Sequence, residues 1–201
     1  NYKISILGDP DIPEYKITVT ENGSELKIEG GIKEGLLKDV KKILMQAPSI
    51  TTINLESIGG RQGEAIGLYN FINNRNLNTV TNKVCLSACT IIFAGGKNRW
   101  IGVNGKLGFH SASFEGVSES EASELGKEIL LKINTEKNIP IDFLNKSNKI
   151  KAEDMWYPNI DELKASNYIT SKISLAASSL KLMERALNKT YKEYKASLPQ
   201  Q

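Results

Sequence analysis

Short runs of alternating apolar and polar residues mark the first 30 positions of the chain. They cover residues 3–7, 16–20 and 25–29. The second and third runs flank Asn22-Gly23, a dipeptide that favours the tight turn of a β-hairpin because both residues tolerate a positive φ. The pattern therefore predicts an N-terminal strand followed by a hairpin.

Apolar spacing then changes to the period of a helix, and afterwards helical and strand-like segments alternate. Leu36, Val40 and Leu44 share one helical face, and Pro48 ends that helix. The elements predicted next are strand 50–55, helix 62–75, strand 79–84, helix 87–95, and strands 99–103 and 107–110. Alternation of this kind indicates an α/β fold built from stacked βαβ units.

Two further helices are predicted in the C-terminal half. The segment Ser118-Glu119-Ser120-Glu121 is a capping box, and it opens a long amphipathic helix. From residue 174 the sequence has a second helical stripe, which consists of Leu175, Leu180, Met183, Leu187 and Tyr191. We expect one globular domain over residues 1–173 and a C-terminal helix over 174–201.

Composition limits the possible classes of function. The chain has 201 residues and is 40% hydrophobic, which is enough to bury one full core. Its net charge is only +3, and its lysines are not interleaved with aromatic residues, so we do not expect a nucleic acid as a partner. No run approaches the roughly 18 apolar residues that a membrane span requires. We therefore expect a function other than nucleic-acid binding or membrane spanning.

Three features between residues 57 and 110 suggest nucleophilic chemistry. Ser87 lies at the start of a predicted helix, where unpaired backbone N–H groups and the helix dipole favour a developing negative charge. His110 is the sole histidine of the chain and suits a general base. Gly59-Gly60 can direct backbone N–H groups toward a bound carbonyl. Each feature also has a plainer interpretation, as a helix-capping serine, a structural histidine or an ordinary turn.

Two cysteines flank the serine. Cys85 and Cys89 are four positions apart, so on a helix they would share a face and lie close enough for a disulfide if the turn adapts. The alternative is a pair of small, buried apolar residues. A metal ion needs more ligands than two cysteines and one distant histidine supply, so we do not expect a metal.

These motifs, taken in order, resemble a known family. Gly59-Gly60, then Cys-Leu-Ser-Ala-Cys-Thr at 85–90, then Leu-Gly-Phe-His at 107–110 resemble the Clp protease proteolytic subunits of the crotonase-like group. The likeness spans roughly residues 30–175 and is greatest with extracytoplasmic members that carry a Cys-x-Ser-Ala-Cys-Thr motif. It implies a ClpP/crotonase-like spiral of stacked βαβ units. In that fold the long helix projects from the head and builds contacts between subunits of a homo-oligomer.

The resemblance also implies a role for each candidate residue. The chain would be a serine endopeptidase that acts on peptides or unfolded proteins without a cofactor or metal. Ser87 would be the nucleophile and His110 its general base. The donors of the oxyanion hole would be the backbone N–H groups of Gly59, Gly60 and Ala88.

The third member of a catalytic triad is not evident in the sequence. The family has an aspartate after the long helix, but the matching segment, residues 145–150, contains no acid. Asn148 is our candidate, because asparagine orients the imidazole in papain-like enzymes. Asp154 and Asp142 are the nearest acids, and a serine–histidine dyad without a third residue is a further alternative.

Departures from the family support a second hypothesis, a binding or scaffolding module with weak or no catalysis. The triad aspartate is missing, and Ile58 stands where the family typically has a proline before the glycines. A third hypothesis is the acyl-CoA chemistry of other crotonase-like proteins. That chemistry usually relies on a carboxylate and needs no serine–histidine pair. Arg99 matches a recurring family arginine, and we expect it to have a structural role.

The cysteines and the C-terminal segment bear on cellular location. The resemblance favours an oxidised Cys85–Cys89 pair, which would require an oxidising compartment. Residues 187–192 resemble the opening of an LprI-like lysozyme-inhibitor domain, an extracytoplasmic module, and imply that a second helical domain starts there. A plain amphipathic helix is the alternative. We expect a periplasmic or otherwise extracytoplasmic protein, although the cytosolic Clp peptidases favour the cytoplasm.

Overall fold

The computed structural model describes residues 12–111, 119–147, 149–151 and 154–172. The strand predicted at 3–7 and the helix predicted over 174–201 lie outside these residues, and so does Asn148.

Eight strands and six helices are present in the described part of the chain. The strands are β1 Lys16–Val19, β2 Glu25–Ile32, β3 Thr52–Gly60, β4 Asn78–Thr81, β5 Val84–Leu86, β6 Arg99–Ile101, β7 Lys106–Gly108 and β8 Ser171–Lys172. The helices are α1 Leu36–Gln46, α2 Gln62–Asn74, α3 Ala88–Ala94, α4 Glu119–Lys137, α5 Ile141–Ser147 and α6 Ile160–Ala165.

The strands form one sheet with a branch. Its main path runs β1-β2-β3-β4-β6-β8, and β5 leaves this path to pair with β3 and β7. β1 and β2 are antiparallel around the turn at Asn22-Gly23, as the alternating pattern predicts. The other strand pairs are parallel. The alternating elements therefore form the α/β architecture that the sequence predicts.

The branch point lies on β3 and positions the candidate site. The first half of β3, residues 52–54, pairs with β4, whereas Ser57 near its end pairs with Cys85 of β5. The opposite edge of β3 pairs with β2 along its length. This arrangement brings the carboxyl end of β3, with Gly59 and Gly60, beside β5. The carboxyl ends of parallel strands are the usual place for a ligand in α/β proteins.

Two predicted strands differ in the structure: one is divided and the other is shorter than predicted. The strand predicted over 79–84 is split, because β4 ends at Thr81 and β5 begins at Val84. The strand predicted over 99–103 ends at Ile101, where β6 gives way to a turn. An apolar run does not show that its two halves pair with different neighbours, so the sequence pattern predicted a single strand in the first case.

One cluster of buried apolar residues joins the sheet to the helices. Leu36, Val40 and Leu44, the predicted apolar face of α1, are all buried. Leu26 and Leu55 of β2 and β3 have no exposed surface at all. Full burial of one such side chain stabilises the fold by about 1.5–3 kcal/mol. This core holds the branch of the sheet, and therefore the site at its edge, in place.

Candidate active site

Ser87 forms the link between a strand and a helix. It follows the last residue of β5 and precedes the first residue of α3, and its backbone has φ 53° and ψ −127°. A non-glycine residue in this region costs about 1–3 kcal/mol and persists only where the surroundings hold it. Its side chain makes no capping hydrogen bond to α3 among the described residues. The plain helix-cap interpretation is therefore not supported, and the hydroxyl is not engaged by the helix it precedes.

Backbone hydrogen bonds hold this strained turn from both sides. The Ser87 N–H donates to the Gly108 carbonyl of β7 at 2.8 Å. The Ser87 carbonyl accepts from the Thr90 N–H at 2.9 Å and from the Thr90 hydroxyl at 2.7 Å. The N–H of Ala88, in the first turn of α3, has no carbonyl four residues earlier within the helix to bind. Such an N–H suits a negatively charged oxygen.

The two glycines at the end of β3 lie directly against this turn. Gly59 has φ 100°, and a Cβ built on it would lie 2.8 Å from both the Leu86 carbonyl oxygen and the Ser87 Cβ. It would also lie 3.2 Å from the Ala88 nitrogen. Gly60 has φ 143°, and a Cβ there would collide with the backbone of Ile32. Only glycine allows so close an approach of the loop to the serine.

The N–H groups of the two glycines have different surroundings. The Gly59 N–H donates to the Ser57 hydroxyl at 3.1 Å. The Arg61 N–H donates to the Ile32 carbonyl of β2 at 2.8 Å. Gly60 is paired in register with Ile32 of β2, and the bond to the Ile32 carbonyl comes from Arg61, so the Gly60 N–H remains a candidate donor. The sequence predicted both glycines as donors, whereas the structure gives Gly59 the additional role of close packing against Ser87.

His110 is positioned by the residue before it and the residue after it. Phe109 and Trp156 exchange backbone hydrogen bonds of 2.9 and 2.8 Å in an antiparallel bridge. The Ser111 N–H donates to the Ile150 carbonyl at 2.9 Å. The Phe109 ring also packs edge-on against Tyr168, with 4.9 Å between ring centroids. The backbone at His110 is therefore fixed by its two neighbours, without a contribution from the imidazole ring.

The imidazole has one unsatisfied nitrogen. His110 Nδ1 is buried and has no hydrogen-bond partner among the described residues. Asp142 and Asp154, the acids considered from the sequence, are both exposed, and no described hydrogen bond joins either of them to His110. A buried nitrogen without a partner is costly and needs an explanation. Asn148, the other candidate, lies outside the described residues.

Ser87 and His110 line the same cavity, which has a volume of about 60 Å³. Ala88 lines it as well, so a group bound there would contact Ser87, Ala88 and His110 together. No hydrogen bond joins Ser87 to His110 among the described residues. The remaining wall is largely apolar and is contributed by α3, α4 and α5, through Ile91, Ile129, Leu130, Ile133 and Leu144.

Comparison with known proteins shows which solved structures share this architecture. No protein-family model matches the chain, and no curated protein matches it either. Solved structures do match. ClpP1 from Listeria monocytogenes superposes with a TM-score of 0.65 at 19% identity, covering 76% of this chain and 92% of that one. A point mutant of the same protein gives 0.64 at 20% identity, with the same coverage. The ClpP protease catalytic domain from Plasmodium falciparum gives 0.57 at 20% identity, covering 71% and 81%.

The chain has a ClpP-like fold. This is the architecture that the sequence motifs predict, and at this level of identity the likeness concerns the fold. Within the ClpP-like fold of this chain, Cys85 and Cys89 are joined in a disulfide with 5.2 Å between their Cα atoms. Both cysteines are completely buried. The bond connects β5 to the first turn of α3 and so encloses Ser87.

Buried cations support the far end of α3 in this ClpP-like fold. The Arg99 guanidinium donates to the carbonyls of Tyr168, Gly96 and Asn167 at 3.0, 3.0 and 2.7 Å. It is 3% exposed, so its role is structural. Lys137, which the sequence analysis did not single out, is also buried and donates to the Gly95 carbonyl at 2.9 Å. Burial, together with the nearby positive charge of Arg99, lowers the pKa of Lys137 to about 8.

No group of three or more His, Cys, Asp or Glu side chains in the described part of the chain is arranged to hold a metal ion. None of the helices that the structure describes combines the length and the apolar character needed to cross a lipid bilayer.

Proposed function

We propose that the chain is a serine endopeptidase with Ser87 as its nucleophile. The observation that carries the proposal is the strained backbone of Ser87 at a strand–turn–helix, with Gly59 packed against it and His110 in the same cavity. Strain of this kind concentrates at functional sites, and a serine on a sharp strand-to-helix turn presents its hydroxyl to a substrate. The ClpP-like fold supports the same function.

The proposed reaction is acyl transfer in two steps. His110 removes the proton from the Ser87 hydroxyl while the oxygen forms a bond to the scissile carbonyl carbon. The carbonyl oxygen becomes an oxyanion, which accepts hydrogen bonds from the N–H groups of Gly60 and Ala88. The C–N bond then breaks, and the leaving amine takes the proton from His110. Water, activated by His110 in turn, releases the acyl group and regenerates Ser87.

Asn148 is proposed to orient His110. It follows Ser147, whose hydroxyl donates to the Leu144 carbonyl at 2.6 Å, and precedes Lys149. The Ser111–Ile150 hydrogen bond ties the segment just after Asn148 to the residue after His110. The amide oxygen of an asparagine would accept a hydrogen bond from the Nδ1–H of the imidazole. An amide carries no negative charge to stabilise imidazolium, so we expect slow catalysis.

The proposed substrate is an extended peptide of a flexible or unfolded protein. It would lie as an added strand beside the loop that follows Gly60. The apolar wall of the cavity next to Ser87 suits a small apolar side chain at the residue that precedes the scissile bond. Ile58, which is 52% exposed beside the glycines, adds apolar surface along this path.

Assembly and location are part of the same proposal. We propose a homo-oligomer with subunit contacts through α4, and the ClpP-like fold supports it. The Cys85–Cys89 disulfide supports an extracytoplasmic location, because disulfides persist in oxidising compartments.

A catalytically inactive binding module is the second candidate function. The observation that favours it is the buried Nδ1 of His110 without a partner among the described residues, together with the missing hydrogen bond between His110 and Ser87. An imidazole that is not oriented toward the hydroxyl does not activate it. The same cleft would then bind a peptide without cleaving it.

Labelling with a fluorophosphonate probe distinguishes the two functions, because this reagent forms a covalent adduct with activated serines. Intact-mass spectrometry should find one adduct on the wild type and none on Ser87→Ala or His110→Ala. Ser49→Ala, which changes an exposed serine in the turn between α1 and β3, should label like the wild type. Absence of an adduct on folded wild type, in the presence of a labelled control hydrolase, would favour the binding module.

A further inference from the structure

The disulfide between Cys85 and Cys89 closes a small covalent ring around Ser87. The ring contains Leu86, Ser87 and Ala88, which are the end of β5, the candidate nucleophile and the residue with the second N–H donor. The bond therefore joins the strand and the helix on either side of the strained residue. Both cysteines belong to the main apolar cluster and have no exposed surface.

A ring this small restricts the unfolded chain less than a long loop would. In the chain-entropy account, the stabilisation from a cross-link grows with the length of the loop that it closes. A cross-link over four positions therefore gives little global stability compared with one that closes a long loop. Its effect is concentrated on the geometry of the enclosed residues, which is where the backbone of Ser87 is strained.

The helical side of the turn is also held by its surroundings, since the Tyr168 hydroxyl donates to the Thr90 carbonyl at 2.9 Å, but no described hydrogen bond joins the first turn of α3 directly to β5. The bond from Ser87 N–H to Gly108 lies on the strand side, and the bonds from Thr90 lie within the first turn of α3. The helix α3 has only seven residues, so it is a weak anchor on its own. The disulfide is the covalent link that sets the first turn of α3 relative to β5.

We propose that Cys85 and Cys89 are positioning residues whose disulfide holds Ser87 and the Ala88 N–H in their reactive arrangement. This inference rests on the proposed peptidase function. A small dithiol would supply two electrons and two protons, convert the S–S bond into two thiols and itself become a cyclic disulfide. The two thiols are small and apolar enough to stay in the core. Reduction should therefore relax the turn and lower the reactivity of Ser87 without unfolding the domain.

The test compares oxidised protein, reduced and desalted protein, and the double variant Cys85→Ala/Cys89→Ala. The rate of labelling by the fluorophosphonate probe should fall about tenfold or more in both the reduced protein and the double variant. Reoxidation should restore the rate of the reduced protein but not that of the variant. Thermal unfolding and circular dichroism check that each form is folded, and intact mass checks the thiol state.

Amide hydrogen exchange of residues 85–92 provides a second readout that does not need enzymatic activity. Exchange should accelerate in this segment on reduction, while residues in β2 and α1 keep their protection. Equal labelling rates for oxidised and reduced protein would overturn the proposal. If no form labels, the peptidase function itself fails, and unchanged exchange in 85–92 would then show that the disulfide does not hold the turn either.

Discussion

The two halves of the candidate site are held in different ways. The nucleophile half, made of residues 84–94 and the glycines 59–60, is fixed by a disulfide, by hydrogen bonds on both sides of Ser87 and by the close approach of Gly59. The base half, made of residues 109–111, Ser147 and 149–151, has a backbone fixed by hydrogen bonds. Its imidazole, however, has a buried Nδ1 with no partner among the described residues.

For the proposed peptidase, this difference predicts which half of the site limits the rate. The backbone around Ser87 is held in one strained arrangement. In the proposal, the orientation of His110 depends on one further residue, Asn148. Substitutions in the nucleophile half should therefore only lower the activity, whereas a substitution in the base half can raise it.

The largest effect is expected for Gly59→Ala. The added Cβ would lie 2.8 Å from the Leu86 carbonyl oxygen and the Ser87 Cβ, so either the loop or the serine must move. A displacement of about 1 Å at a reacting group costs about 100-fold in rate, and we expect a loss of labelling rate of that order. Gly63→Ala is the matched control, because nothing lies within 4 Å of its Cβ position at the start of α2. Normal reactivity of Gly59→Ala would show that the loop is not part of the site.

A gain of activity is expected for Asn148→Asp. If Asn148 accepts a hydrogen bond from His110 Nδ1, a carboxylate there would add charge stabilisation of imidazolium and raise the labelling rate by about tenfold or more. Asn145→Asp, an exposed position on α5, makes the same change of charge and should leave the rate unchanged. Equal effects of the two substitutions would point to a general electrostatic effect and remove Asn148 from the site.

The order of elements could be predicted from the sequence because each helix and strand buries one face, and the spacing of its apolar residues shows which type of element it is. α1 and the β1–β2 hairpin are examples, with apolar positions that are buried as expected. Two features depended on partners far along the chain and were missed. The division between β4 and β5 arises because they pair with different strands. The burial of Lys137 arises because carbonyls at the end of α3 surround its ammonium group.

The site was predictable to a similar degree. The motifs singled out Ser87 and His110, which the structure places on one cavity. The positive φ of Ser87 was not predictable, since serine prefers other backbone conformations and only the tertiary contacts impose this one. The separate roles of Gly59 and Gly60 also required the register of β3 against β2 and β5.

A smaller effect is expected for Ser57→Ala. The Ser57 hydroxyl is buried and accepts the Gly59 N–H at 3.1 Å, so its removal leaves that N–H without an acceptor. An unsatisfied buried group costs about 1–3 kcal/mol, and the free energy of unfolding in urea should fall by this amount. The labelling rate should fall by only a few-fold, since Gly60 and Ala88 keep their positions. The exposed change Ser49→Ala should alter stability by less than about 0.5 kcal/mol.

The smallest effect concerns the pH dependence that Lys137 contributes to stability. Burial lowers the pKa of Lys137 from 10.5 to about 8 in the folded protein. Between these two pH values the unfolded chain binds a proton that the folded chain does not, so the free energy of unfolding rises with pH. Below about pH 8 both states hold the proton and this contribution is constant. The comparison with Lys137→Met isolates it, because the other titrating groups are shared.

Urea unfolding of both proteins from pH 7 to pH 10 measures the contribution of Lys137 to the free energy of unfolding. The stability of the wild type relative to Lys137→Met should be constant up to about pH 8 and then increase. The opposing influence is that the ammonium donates to Asn73 and to the carbonyls of Gly95 and Gly96, which favours the charged form. A relative stability that stays constant up to pH 10 would show that these hydrogen bonds offset burial and keep the pKa of Lys137 near 10.5. The end of α3 opposite Ser87 would then be held by charge rather than by packing.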